Sequence, residues 1–118
     1  MNKINAVVVL VLIAASLAVA APAEKVTLQG EILDLACYLE HEAQGAGHAG
    51  CAKACLEEGQ PMGLLAADGK VWLLLADHSD AKPYHAAKQF AGRQVVVTGL
   101  KKSRAGIDGF EVHAVKEP

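Results

Sequence analysis

The chain has no surplus of positive charge: 11 Lys and Arg stand against 13 Asp and Glu, a formal net charge of −2. Without its first twenty residues it loses only Lys3 among the charges, which leaves 10 basic against 13 acidic residues and a balance of −3. Nucleic-acid binding draws most of its non-specific affinity from clustered Lys and Arg that neutralise phosphates, so no nucleic-acid partner is expected. The one basic run, Lys101-Lys102-Ser103-Arg104, reads as the solvated tip of a hairpin. A convincing catalytic constellation is also missing. There is no nucleophile with an adjacent base, no pair of carboxylates in helix or strand register, and no phosphate-cradling glycine loop. Cys37 and His48 are a nucleophile and a base in type, but the loop between them leaves their geometry open, and no enzymatic activity is expected. No Cys-x-x-Cys-His occurs, which disfavours haem attached through cysteine. Internal repeats are absent, as are low-complexity tracts beyond the apolar start.

That start is informative. Lys3 precedes an apolar run from Ala6 to Leu17, and Ala18-Val19-Ala20 satisfies the small-x-small cleavage rule of a secretory signal. Residues 1 to 20 are expected to be removed, with Ala21-Pro22-Ala23 as a second cleavage frame that moves the cut as late as residue 23. No cysteine follows either cut, so no lipid anchor is indicated, and the apolar core is short for a membrane span. The expected product is a periplasmic or secreted protein with no stable membrane anchor. Residues 24–118 suffice for one domain, small enough that a metal or a disulfide adds appreciably to its stability.

Along the mature chain, Val26-Thr27-Leu28-Gln29-Gly30-Glu31-Ile32 alternates apolar and polar, the period of a half-buried strand. Gly30 within it marks a bulge or bend. After Cys37-Tyr38-Leu39 the run from His41 to Gly47 reads as a flexible polar loop. From about His48 to Glu58 the composition is helical, with Gly59 as a left-handed stop. Asp68-Gly69, set between two apolar segments, suits a type I′ hairpin turn. Asp80 and Pro83 open a second helix that runs through Tyr84, Ala87 and Phe90 to Gly92. Val95-Val96-Val97-Thr98 and Phe110-Glu111-Val112-His113-Ala114-Val115 make two more strands.

This pattern predicts a mainly β fold with two short helices: a five-stranded OB-like Greek-key barrel carrying a helical Cys/His insertion between strands 1 and 2. Val26-x-Leu28-x-Gly30-x-Ile32 and Gly92-x-x-Val95-x-Val97-x-Gly99 resemble the opening and penultimate strands of small periplasmic bacterial OB-fold proteins. The insertion departs from the plain form of that family, so the family's ligand habits do not carry over.

All three cysteines of the chain fall within that insertion, as Cys37 and then His48-Ala49-Gly50-Cys51-Ala52-Lys53-Ala54-Cys55. On a continuous helix turning about 100° per residue, positions 48, 51 and 55 share one face. Side chains four apart have Cβ atoms about 5–6 Å apart, wider than the roughly 3.5–4.5 Å of a disulfide, so Cys51 and Cys55 suit a shared metal better than each other. Cys37, His48, Cys51 and Cys55 make a candidate set of three sulfurs and one nitrogen for one zinc or copper(I) ion. The Cys-x-x-x-Cys spacing is similar to that of secreted copper-handling proteins of the Sco and CuA kinds, although those place their histidine downstream and have a different fold. A metal or redox chaperone that docks on an envelope protein is one form of this reading. The alternative is a disulfide from Cys37 to Cys51 or Cys55. Closing a loop of about 15 residues would stabilise the fold by roughly 3 kcal/mol in the chain-entropy model, leaving a ligand- or protein-binding module whose contact face surrounds Trp72 and Tyr38. Trp72 also fits the core, as does Met62, an additional soft donor in type. His41 and Glu42 read as solvated loop residues. His78, His85 and His113 have no short spacing that joins them.

Overall fold

A computed structural model describes residues 18, 19 and 21–118 of the chain. The expected signal segment, residues 1 to 20, lies outside the described residues except at positions 18 and 19. Among those described, no helix is long and apolar enough to cross a membrane.

The architecture is mainly β, with five strands in one sheet and three helices. Strand β1 (Val26–Asp34) leads directly into helix α1 (Leu35–His41). A 3-10 turn at Ala46–His48 precedes helix α2 (Ala49–Glu57), and β2 (Met62–Ala66) and β3 (Val71–Ala76) follow. Helix α3 (Lys82–Ala87) continues as a second 3-10 turn at Lys88–Phe90 and leads to β4 (Gln94–Arg104) and β5 (Ile107–Lys116). Pairing runs in the order β1-β2-β3-β5-β4 and returns to β1, so the strands form a closed ring. All neighbours are antiparallel except β3 and β5.

Strand β1 serves two neighbours by bending at Gly30. Residues Val26 to Glu31 pair with β4 and residues Gly30 to Asp34 pair with β2. A Cβ at Gly30 would collide with the Leu65 carbonyl, so this crossing requires glycine. Beyond the bend both faces of β1 are covered, and residues 30 to 34 are all buried. Ile32, Leu64, Val95, Val97, Phe110 and Val112 fill the interior, all at 0 % exposure. Trp72 packs edge-on against Phe110 with centroids 6.3 Å apart. It is 6 % exposed and therefore part of the core, while Lys70 and Lys101 stand over its ring at 4.1 and 5.3 Å. Met62 is likewise fully buried in the core cluster.

Three sequence expectations are corrected. The described residues form three helices rather than two, because residues Leu35 to His41, read as a strand end and a loop, form α1. Asp34 ends the strand in an extended conformation and its Oδ1 accepts a hydrogen bond from the Ala36 amide at 3.0 Å, which makes it a helix N-cap. The hairpin at Asp68-Gly69 is not type I′: only Gly69 has positive φ, and the Gly69 amide donates to Ala66 O while the Ala66 amide donates to Lys70 O, each at 2.9 Å. Those bonds close a three-residue loop in which a turn is followed by a left-handed glycine. The two-residue mirror turn is at Ala105-Gly106, with φ of 51° and 82°, and it lengthens both β4 and β5. Lys101 to Arg104 therefore extend β4 as an exposed strand end instead of forming the turn itself.

Candidate metal centre

The segment between β1 and β2 is folded against the β ring from several points. Helix α2 places Ala52 and Leu56, one turn apart, in the core at 1 % and 0 % exposure. The carboxylate of Glu31, itself 8 % exposed, accepts a hydrogen bond from the Gly45 amide at 3.0 Å. Leu35 N donates to Pro61 O at 2.9 Å, which ties the start of α1 to the approach to β2. Gly92 packs so closely that a Cβ there would lie 2.8 Å from both Ala49 Cα and Gly45 O.

These attachments bring α1 beside α2. Cys37 lies in the first turn of α1, while Cys51 and Cys55 lie one turn apart on α2, next to the Ala52 and Leu56 stripe that faces the core. The three Sγ atoms lie within 4.8 Å of one another, and all three thiols are free. Cys51 is exposed and the other two are half-buried, so the group opens to solvent on one side.

His48 has a different placement from the one its spacing suggests. It closes the 3-10 turn and stands at the N-cap position of α2, with φ of −103°, rather than on the helical face that carries Cys51 and Cys55. A ring nitrogen lies within 4.8 Å of Cys37 Sγ and of a carboxylate oxygen of Asp34, which makes a second group of three potential ligands. Cys37 belongs to both groups. Asp34 is the residue that sequence reasoning missed. Its signal was an Asp standing three residues before a cysteine at a strand end, where an N-cap begins a helix and places position i+3 a turn away.

The electrostatics of the protonated site are unfavourable to thiolates. The Asp34 carboxylate beside it, which favours the protonated thiol, then desolvation by burial, then that carboxylate's negative charge push the Cys37 thiol up to about 12. Burial first, then the nearby Asp34 carboxylate and its negative charge, with Cys51 adding to them, raise Cys55 as well. Bound cations reverse this logic, because a metal ion replaces the thiol protons and neutralises the sulfurs. Two polar atoms of the second group are buried and have no hydrogen-bond partner: Asp34 Oδ2 and His48 Nε2.

The remaining candidates stand apart from these groups. His41 ends α1 and lies 3.5 Å from Glu40 in solvent, and Glu42 is the left-handed C-cap of α1 with φ of 56°. His78 is in an exposed turn and His85 packs edge-on against Tyr84 at 5.5 Å. His113 on β5 meets Glu111 at 2.8 Å and Asp77 at 3.6 Å, a third group, made from β5 and the segment after β3 and separate from the cysteines. Tyr38, on α1, is half-buried. Comparison with protein-family models, with curated proteins and with solved structures finds no match to this chain.

Proposed function

We propose that this is an exported soft-metal-binding protein in which Cys37, Cys51 and Cys55 hold one copper(I) or zinc ion, with His48 as the adjoining nitrogen donor. The observation that carries the reading is the convergence of three free sulfurs from two helices to within 4.8 Å. Thiolates bind zinc at about 2.3 Å, so sulfurs around one ion stand about 3.8 Å apart, and the observed spacing needs only a small contraction. Soft thiolate donors suit copper(I) and zinc above hard cations. The ring order β1-β2-β3-β5-β4 with a helix between β3 and β4 supports an OB-type Greek-key barrel as the scaffold. The small-x-small pattern ahead of residue 21 supports export to the periplasm or the medium. In that compartment, a solvent-facing soft site such as that around Cys51 suits delivery of its ion to an envelope partner.

Thiol counting with and without reductant, combined with elemental analysis of anaerobically purified protein, tests the reading. The expected result is at least one bound soft-metal ion per chain and three thiols that become reactive when a chelator removes the metal. A metal-free protein with one reactive thiol and two more released by reductant would establish the disulfide-stapled module instead.

A further inference from the structure

We propose that Asp34, Cys37 and His48 form a second cation seat, and that the Cys37 thiolate bridges it to the seat made by the three cysteines. The proposal rests on the thiolate site proposed above and extends it to a two-ion centre.

Three observations support it. Asp34 is 1 % exposed, and among the described residues its carboxylate has no ion pair: one oxygen caps α1 and the other, Oδ2, is buried without a partner. An uncompensated buried carboxylate costs several kcal/mol, so such groups are paired, protonated or bound to a metal. Next, His48 Nε2 is also buried and unpartnered, although a ring nitrogen of His48 lies within 4.8 Å of an Asp34 oxygen. The two groups approach without bonding to each other, as ligand atoms do on two corners of a coordination shell. Finally, the charges balance. Three thiolates and one carboxylate carry −4, a single divalent ion leaves −2 in a half-buried site, and two divalent ions bring the sum to zero. The donor set of the second seat, one nitrogen, one oxygen and one sulfur, suits a borderline divalent cation such as zinc. With His48 engaged there, the first ion keeps three sulfurs and takes any further ligand from the solvent side at Cys51.

Cobalt(II) tests this directly, since thiolate-to-cobalt charge transfer reports the sulfur seat and elemental analysis counts ions. Reduced wild-type protein is expected to take up two cobalt ions per chain. Asp34→Asn keeps an N-cap acceptor, so the fold is retained. This variant is expected to take up one ion with strong charge transfer, and His48→Ala is expected to do the same. One ion per chain in the wild type, or an Asp34→Asn protein that still binds two or binds none, overturns the second seat. Absence of charge transfer in every protein, by contrast, would sink the thiolate site on which it stands.

Discussion

The β ring and the segment inserted between β1 and β2 are stabilised in different ways. The ring fills its interior with fully buried apolar side chains, and every strand is paired on both sides. The insertion consists of helices of 7 and 9 residues, shorter than the roughly 12–15 at which an isolated helix becomes even marginally stable. It contributes Leu35, Ala52 and Leu56 to the buried apolar set, and its inner edge instead holds three thiols and an imidazole beside the Asp34 carboxylate at the end of β1. The ring therefore rests mainly on hydrophobic burial, whereas the insertion, anchored by fewer apolar side chains, would gain further order from an ion held by its sulfurs on the reading proposed above.

The largest expected effect falls on the ring. Phe110→Ala removes a fully buried aromatic side chain and its edge contact with Trp72, and should cost about 3–5 kcal/mol in a urea titration. The metal content of the folded fraction should be unchanged. If its metal is lost as well, the two regions are not independent. A smaller effect should follow at the seam between them: Gly92 has φ of 73° and faces the backbone of Ala49 and Gly45, so Gly92→Ala should cost about 1–3 kcal/mol and weaken metal binding at the same time.

Metal removal sharpens the comparison further. A chelator should speed amide exchange across α1 and α2 by at least tenfold while β4 and β5 keep their protection, because local opening follows local contact density. Uniform acceleration through all five strands would mean that the ring also relies on the ion.

Proton linkage gives opposite signs for the two states. In the metal-free protein the Cys37 thiol ionises near 12 when folded against 9.0 as the ordinary value, and Cys55 is raised in the same direction. The folded state thus holds its protons more tightly. The stability this provides is fully present below pH 9 and is lost as the pH climbs through the folded value of about 12. Metal affinity runs the other way: each sulfur gives up a proton on binding, so the zinc affinity should rise steeply between pH 6 and pH 8 in competition titrations. An affinity flat across that range would speak against thiolate ligands. The smallest effect is that of Cys51→Ser on the metal-free protein, which should stay within about 0.5 kcal/mol of wild type because the side chain is exposed, even though the variant should lose the ion of the three-sulfur seat.

The same contrast explains what the sequence made legible. Alternation in Val26 to Ile32, and the apolar runs around Trp72, Val97 and Val112, disclosed the five strands because period-two patterning is a direct consequence of a sheet with one face in the core. Helix α1 was hidden because Leu35-Ala36-Cys37 continues the apolar run of β1, whose far end is buried on both faces, so periodicity carried no sign of the change. The cysteines were legible as a cluster from their scarcity and spacing. The placement of His48 was not, since a 3-10 turn just before α2 breaks the helical register that the spacing assumes. Asp34 was missed because its role depends on burial, which sequence registers only as an acidic residue at the end of a strand.

The central claim is that sulfur atoms from α1 and α2 bind one ion together. X-ray absorption at the zinc edge of protein loaded anaerobically with a single equivalent tests it most directly. The account predicts a first shell dominated by sulfur at about 2.3 Å, and loss of that sulfur shell in Cys55→Ser. A shell made only of nitrogen and oxygen at about 2.0–2.1 Å would contradict it.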